Sequence, residues 1–335
     1  RVKRFNSREN SASDATPGDG GRPVKEWVTT VNAHDDFTLE NHGLVHVGYL
    51  KNAVSEVQEN ALPWLIAGRA VPAACGHHRR EVFELLIDCM AWDGGTVYFA
   101  GTDWKIYHEH CSEIVLYTML SLLTADRRAA FLERTALDWL TRQQQAEGGY
   151  YNVRRDLEYG GLCATRLIAC CLAHGLTGPP PEPITAADLD RLATGTRHLA
   201  AGKTVVHRTP SKFASFTWAQ KRMALALPRD GTWVVWPHFA SYLGIFDGQD
   251  SSHRNARLEN IHVDVRPDGF RISGALRRCK EKLLQDFCYA SPPGVAAIAP
   301  IPNATATNTA HRVPMVMGHA PQHKERAPDR FISKT

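Results

Sequence analysis

The apolar side chains of this 335-residue chain change their spacing near residue 178, and this change most limits the folds open to it. Up to that point apolar residues recur every three or four positions, as at Val47, Leu50 and Val54, which predicts buried faces of α-helices. Beyond residue 200, short stretches rich in Val, Phe, Trp and Thr alternate with turn signals such as Pro-Arg-Asp-Gly, which is typical of antiparallel strands. The sequence therefore predicts an α+β chain in which a helical domain precedes an antiparallel β-sandwich domain.

The predicted elements and domains follow the chain in order. Apolar periodicity predicts helices at 47–61, 82–89, 114–123, 131–140, 162–172 and 186–200. Strands are predicted at 204–209, 213–218, 222–227, 232–236 and 241–246, followed by a hairpin of 261–265 and 270–273. We expect a flexible lead-in over 1–23, a helical domain over 24–200, a β-sandwich domain over 201–300 and a loosely ordered tail over 301–335.

Composition indicates globular domains and argues against several other classes. Hydrophobic residues make up 43% and charged residues 22% of the chain, values that exclude collagen-like, wholly disordered and disulfide-framework proteins. No uninterrupted apolar run approaches the roughly 20 residues of a membrane-spanning helix, so we expect no membrane span. No signal peptide is visible, so we expect any export sequence to be absent or already removed.

Charge and missing motifs narrow the function classes further. From residue 251 onward, 13 Lys or Arg face 7 Asp or Glu, whereas the first 250 residues hold 26 and 28. A basic end segment can favour a polyanionic partner, although charge alone fits a solvated tail better. The chain lacks the Gly-x-Ser-x-Gly elbow, the P-loop and the GxGxxG turn, which argues against serine hydrolases, P-loop NTPases and Rossmann oxidoreductases. Its basic residues match no nucleic-acid-binding module, so we expect no nucleic-acid partner.

Three segments concentrate polar side chains beside apolar helical patterns. The first, residues 36–43 with the sequence Asp-Phe-Thr-Leu-Glu-Asn-His-Gly, precedes the first long helix. There Asn41 and His42 can present an amide and an imidazole to a substrate anion. Alternatively, Asn41 caps the helix and His42 lies on the surface, and without further context capping is favoured.

The second segment, residues 93–110, is a glycine-punctuated loop that leads into a helix. If that helix begins near Trp104, Tyr107 and His110 are three residues apart and share a face, with Glu113 on the same side. A tyrosine hydroxyl polarised by cationic neighbours can transfer protons. Two alternatives stay open: Tyr107 packs in the helical core, or a His-x-His pair binds a metal, which ranks last because no further ligands have a suitable spacing.

The third segment contains His207 in a strand-like run, and Arg222 follows it. A strand edge could bring both side chains into a cleft between the domains. Singly, such a histidine is more often structural than catalytic. Trp218 could stack on a sugar ring, although a tryptophan in a strand is more often part of the core.

Together, the first two segments resemble motifs of the heparinase II/III-like and alginate-lyase-like polysaccharide lyases. Residues 36–43 resemble the Asn-His-Gly segment that lies in the helical toroid of those enzymes, and residues 93–108 resemble the glycine-led segment that carries their catalytic tyrosine. The order of helices before an antiparallel sandwich also agrees. The resemblance implies an incomplete (α/α) toroid-like helical domain, because about five or six helices are readable where a full toroid needs roughly ten or more.

The resemblance implies β-elimination at a uronic acid residue of an acidic polysaccharide. Asn41 and His42 match the pair that neutralises the uronate carboxylate. Tyr107 matches the residue that removes the C5 proton, protonates the leaving oxygen, or does both. Fixed donors of this kind stabilise a developing enolate-like charge. The residues that we expect to contact the substrate are Trp104, His110, His207 and Arg222.

Cofactors, location and alternatives complete the prediction. No cofactor is required by this chemistry, whereas a structural divalent metal in the sandwich stays open; the eight cysteines form no CxxC pair, so no structural zinc site is predicted. The substrate class implies a secreted or periplasmic protein, and the oligomeric state is open. A glycoside hydrolase on a helical barrel is the alternative enzyme, with Asp93, Asp103 and Glu109 as candidate carboxylates. A non-catalytic glycan-binding relative is the alternative without turnover.

Overall fold

A computed structural model gives the fold of the chain in two compact units. The first unit comprises residues 1–39, 47–97 and 104–192, and the second comprises residues 40–46, 98–103 and 193–335. We call them the helical unit and the sheet unit. The residues that the structure describes are 17, 20–23, 26, 34, 36–41, 44–51, 59–76, 78–92, 94–101, 111, 113–149, 157–219, 221–229, 243, 256–278, 281, 283–293 and 303–306.

Among the described residues of the helical unit, the two longest helices are α4 and α5, with 20 and 21 residues. Residues 47–51 are helical, and a 3-10 turn spans Ala73–Cys75. The α-helices are α1 (Leu62–Ile66), α2 (Arg79–Asp88), α3 (Glu113–Thr124), α4 (Arg127–Ala146), α5 (Leu157–Thr177) and α6 (Ala186–Ala193). The helices predicted at 82–89, 114–123, 131–140 and 162–172 are confirmed, because the three-to-four-residue apolar spacing marks their buried faces.

Helices α3 and α4 form a hairpin whose ends the sequence specifies. The Asp126 carboxylate caps α4 by accepting hydrogen bonds from the backbone N–H groups of Arg128 and Ala129, at 2.8 and 3.3 Å. At the other end Gly148 and Gly149 take positive φ angles of 71° and 95°, and the N–H of Gly149 returns to the carbonyl of Gln144 at 2.9 Å. Helix α3 packs against both α4 and α5.

Helix α5 is unusually apolar for a helix with so much exposed surface. Its segment Gly160–Thr177 is long and apolar enough to cross a membrane by length and composition, with a mean hydropathy of 1.2, and 22% of it is buried. Length and composition are weak evidence of a membrane span. The absence of a membrane span therefore stays a prediction.

The sheet unit contains ten antiparallel strands in three sheets among its described residues. The strands are β1 (Glu40–Asn41), β2 (Leu44–Val45), β3 (Gly195–Leu199), β4 (Thr204–Arg208), β5 (Lys212–Trp218), β6 (Arg222–Pro228), β7 (Arg257–Arg266), β8 (Gly269–Arg278), β9 (Leu283–Ser291) and β10 (Asn303–Ala306). Strands β1 and β2 pair with each other. The two larger sheets have the orders β3-β4-β5-β6 and β10-β9-β8-β7.

The two four-stranded sheets contribute to one apolar cluster. Phe216 of β5 stacks on Phe287 of β9 with ring centroids 5.3 Å apart, and it also contacts Tyr289 at 5.7 Å. The Tyr289 hydroxyl donates to the backbone carbonyl of Leu225 on β6, so its one polar atom is satisfied inside the cluster. The mixed helix-and-sheet class of the chain is thus as predicted.

The structure corrects the prediction of a helix over 186–200. Helix α6 ends at Ala193, and Gly195–Leu199 form strand β3, which pairs with β4. Gly195 has a φ of 128°, which ends the helix, and β4 offers an edge with which the following residues can pair. The predicted strands at 204–209, 213–218 and 222–227 and the hairpin around Pro267 are confirmed, with the hairpin strands extended to ten residues each.

The short strands β1 and β2 and the longer strands β9 and β10 lie where no strand was predicted. In strand β9 the side chains of every second residue point inward, namely Gln285, Phe287, Tyr289 and Ser291. Because Gln285 and Ser291 are polar, the sequence does not show the alternation of apolar and polar residues that predicts a strand. Strand β10 pairs with β9 inside the segment that was predicted as a loose tail. The strands predicted at 232–236 and 241–246 lie outside the described residues except for residue 243, and the predicted domain bounds stay predictions.

Candidate functional site

The structure describes the side chains of only two of the seven predicted site residues. These two are His207 and Arg222. The backbone of Asn41 lies in β1, where it pairs with Leu44, and its side chain is outside the described part. The remaining predicted residues lie outside the described residues altogether: His42, Trp104, Tyr107 and His110.

Inside the helical unit, a buried ion pair links residues beside the first and second motif segments. Lys51, eight residues after Gly43, places its Nζ 3.0 Å from Glu113 Oε1. The Thr96 hydroxyl, within the second segment, donates to the same oxygen. Lys51 and Glu113 are each 1% exposed. Because a buried charge is tolerated only when paired and hydrogen-bonded, this contact fixes Lys51 against the loop at Thr96 and the start of α3.

A pair of thiols continues this buried polar cluster. Cys111, two residues before Glu113, is fully buried and its Sγ lies 4.0 Å from a terminal guanidinium nitrogen of Arg166 on α5. A hydrogen bond from the Cys163 thiol lowers the pKa of Cys111, and the positive charges of Arg166 and Lys51 act in the same direction. The Cys111 sulfur therefore lies in an electropositive interior.

Inside the sheet unit, a ring contact joins a residue just after the first motif segment to a residue within the second. His46 follows the first segment, and its imidazole packs edge-on against the Tyr98 ring, with centroids 6.3 Å apart and an interplanar angle of 86°. Both rings are buried, at 1% and 4% exposure. The backbone of Asn41 is held by the pairing of β1 with β2, and β2 ends at Val45, the residue before His46.

His207 is held as a neutral group in the interior of the sheet unit. Its Nδ1 lies 2.8 Å from Ser291 Oγ, and the residue is 2% exposed. Burial lowers the pKa of His207 to about 4, and the positive charge of Lys212 contributes to the shift. Arg222, at the start of β6, is half-buried, and burial lowers its pKa. Their contact with a substrate stays a prediction.

A second polar network lies between α3, α4 and α5. The Glu133 carboxylate accepts hydrogen bonds from Thr118 Oγ1 at 2.7 Å and Ser121 Oγ at 3.0 Å, and His174 Nε2 lies 2.7 Å from it. Sequence reasoning missed both this network and the Lys51–Glu113 pair. Both could have been found from the sequence, because a charged residue inside an apolar helical pattern indicates a buried charge that needs a partner.

Among the residues that the structure describes, no group of three or more His, Cys, Asp or Glu side chains could hold a metal ion. No family model, no curated protein and no solved structure matches the chain. The motifs and the described contacts are therefore the basis on which a function can be inferred.

Proposed function

We propose that the protein is a polysaccharide lyase that cleaves a uronic-acid-containing glycan by β-elimination. The observation that carries the proposal is the buried contact of Lys51 with Thr96 and Glu113. This contact ties Lys51, eight residues after the first lyase-like segment, to Thr96 inside the second segment and to Glu113 three residues after it. A site needs rigid surroundings, and this contact fixes the chain at the second segment, which carries Tyr107.

The proposal includes the architecture that the resemblance implies. The helical unit corresponds to an incomplete (α/α) toroid, and the two larger sheets correspond to the sandwich. The α3–α4 hairpin supports the first part, because successive antiparallel helices build such toroids. The apolar cluster shared by both sheets supports the second, because inner faces that interdigitate define a sandwich.

The proposed chemistry divides between the two segments. Asn41 and His42 bind the uronate carboxylate, so that less negative charge opposes loss of the neighbouring C5 proton. Tyr107 removes that proton and delivers a proton to the leaving oxygen. A rigid surrounding is needed, because donors stabilise the developing charge only when they are fixed in advance. The buried pair of Lys51 and Glu113 and the His46–Tyr98 contact supply such rigidity beside the segments.

A glycan-binding relative without turnover is the second candidate function. The observation that favours it is a cleft lined by four arginines in the helical unit, which suits an anionic ligand with or without cleavage. In either case the partner is an acidic polysaccharide outside the cytoplasm, and no cofactor is needed.

Ultraviolet absorbance of the unsaturated uronate product tests the reaction. Wild type, Tyr107→Phe and the matched control Tyr117→Phe would be incubated with alginate, heparan, chondroitin, hyaluronan and glucuronan. Tyr117 is a buried tyrosine of α3, so its change removes the same hydroxyl group elsewhere in the helical unit. We expect absorbance to rise with wild type and Tyr117→Phe and to be lost with Tyr107→Phe.

The other outcomes separate the alternatives. A rise that survives in Tyr107→Phe keeps the lyase and rejects the assigned tyrosine. New reducing ends without the ultraviolet band indicate a glycoside hydrolase. Binding without any product favours the non-catalytic relative.

A further inference from the structure

The first turns of α2 and α4 line a cleft of about 520 Å³ in the helical unit. Its wall includes four arginines, two from each helix: Arg79, Arg80, Arg127 and Arg128. Phe83 forms part of the wall, and the Arg128 guanidinium lies 5.2 Å from its ring centroid. We call this feature the arginine cleft. Its volume lies within the range of about 300–1,000 Å³ that is typical of small-molecule sites.

The described contacts leave an excess of positive charge in the arginine cleft. Arg128 is held by two carboxylates, with nitrogens 2.6 Å from Asp126 and 2.7 Å from Glu84. Arg127 instead donates its Nε–H to the backbone carbonyl of Glu182 at 2.8 Å, an acceptor without a formal charge. Arg80 Nε lies 3.9 Å from the same Glu84 carboxylate, so in these contacts two carboxylates face the three guanidinium groups of Arg80, Arg127 and Arg128.

The backbone reinforces the positive potential of the cleft. Helix α2 begins there without a side-chain cap, and its first N–H groups carry partial positive charge, whereas those of α4 are capped by the Asp126 carboxylate. The residues that lead into these turns, His78 and Ala125, both have a φ of 51°, a costly conformation for residues other than glycine. Burial also lowers the pKa of the Arg79 guanidinium, because withdrawal from water disfavours its charged form.

We propose that the arginine cleft binds the carboxylate or sulfate groups of an acidic glycan, in addition to the residues assigned to β-elimination. The inference rests on the substrate class of the proposed function. The planar guanidinium group forms paired hydrogen bonds with carboxylate and with sulfate-like oxyanions, and this suits an arginine-lined cleft to such sugars. The cleft would anchor the polymer by one anionic sugar while another is cleaved.

A matched pair of double variants tests the arginine cleft. Arg80→Gln/Arg127→Gln removes one exposed guanidinium from each helix of the cleft, and Arg134→Gln/Arg142→Gln removes two exposed guanidinium groups of α4 outside the residues that line it. Both variants change the net charge equally. Titration calorimetry would use a chondroitin sulfate oligosaccharide, an alginate oligosaccharide, inorganic sulfate and a neutral maltooligosaccharide.

We expect the cleft variant to weaken binding of an acidic oligosaccharide about tenfold or more, and the control variant about twofold or less. The alginate and chondroitin sulfate arms distinguish a carboxylate from a sulfate as the bound group. Equal weakening by both variants would show attraction to overall charge and overturn the inference. Binding of inorganic sulfate alone would overturn it as well.

Wild-type protein provides a test that no folding defect can obscure. Phenylglyoxal would label exposed arginines with and without the oligosaccharide, and mass spectrometry would locate the label. We expect protection at Arg80 and Arg127 and none at Arg134 and Arg142. Protection together with absence of ultraviolet product on every glycan would reject the lyase and keep the cleft. Ultraviolet product with no protection of the cleft arginines would reject the cleft and keep the lyase.

Discussion

The interiors of the two units contain charged groups that are bonded in different ways, to neutral acceptors in one and to an opposite charge in the other. The sheet unit buries aromatic and aliphatic side chains of both large sheets in one cluster, and buried polar groups such as Arg278 bond to neighbours, here to the Gln285 side chain and the Leu243 carbonyl at 2.8 Å each. The helical unit instead buries a full ion pair, Lys51 with Glu113. An apolar interior of equal volume is often as stable as a buried ion pair or more so. Stability alone therefore does not explain the residues chosen in the helical unit.

The two units also differ in how many large hydrophobic side chains they expose. Nine large hydrophobic side chains are exposed among the described residues, and eight belong to the helical unit: Trp64, Ile66, Leu137, Leu162, Ile168, Leu172, Leu176 and Leu192. Val263 is the ninth. Both units bury charged side chains, since Arg208, Lys212 and Arg278 of the sheet unit are each at most 2% exposed, so the apolar surface is what sets the helical unit apart. Among the described residues, the helical unit therefore exposes more large apolar side chains than the sheet unit.

Breaking the buried ion pair should have the largest effect. Lys51→Met leaves the Glu113 carboxylate buried without its cation, and we expect the free energy of unfolding to fall by about 3–5 kcal/mol. Urea unfolding followed by circular dichroism measures the change. The double variant Lys51→Met/Glu113→Leu removes the stranded charge and should recover much of the loss.

A matched exposed pair shows whether burial is the cause. Arg191 and Asp188 of α6 are 2.7 Å apart, and the arginine side chain is 76% exposed. We expect Arg191→Met to leave the urea midpoint unchanged, because solvent screens such pairs. Equal losses from both variants would contradict the proposed difference between the interior of the helical unit and its surface.

Acid should destabilise the sheet unit through His207. Its pKa is about 4 in the folded chain and about 6.5 when unfolded, so between these values the unfolded chain binds a proton that the folded chain excludes. Stability is therefore complete above about pH 6.5 and declines as the pH falls toward 4. At about 1.36 kcal/mol per pKa unit, the decline amounts to about 3 kcal/mol.

The variant His207→Asn isolates this contribution. Asparagine can place an amide group near Ser291 Oγ in the position of the imidazole Nδ1, and it does not titrate in this range. Urea unfolding of both proteins would be measured between about pH 7.5 and pH 4, in steps of about half a pH unit. We expect the two curves of unfolding free energy against pH to converge as the pH falls. Parallel curves would show that His207 is not protonated preferentially in the unfolded chain.

Much of the fold follows from periodicity in the sequence. The helices around 114–123 and 131–140 and the strands around 204–209 and 213–218 are visible because their buried faces repeat at 3.6 or 2 residues. Strand β9 is hidden because polar Gln285 and Ser291 point inward, where Gln285 meets Arg278 and Ser291 meets His207. Those partners are fixed by tertiary structure, which no local pattern records.

The candidate site is predictable only in part for the same reason. The two motif segments are visible in the sequence, because their Asn-His-Gly and glycine-tyrosine patterns are local. The sequence around Lys51 and around Glu113 predicts an ordinary charged residue on an amphipathic helix, because the two partners are 62 residues apart in the chain. The arginine cleft is likewise formed by two helix starts that only the folded chain brings together.

The smallest expected effect gives the sharpest comparison of the two units. The same change, Ile→Val, removes one methylene group from Ile272, which is fully buried in the sheet unit, and from Ile168, which is 61% exposed on α5 of the helical unit. We expect Ile272→Val to lower the free energy of unfolding by about 0.5–1.5 kcal/mol, and Ile168→Val to leave it unchanged within the error of urea unfolding. A loss at Ile168 as large as that at Ile272 would mean that something covers the apolar face of α5 in solution. That result would overturn the assignment of this surface as exposed, and with it half of the contrast between the units.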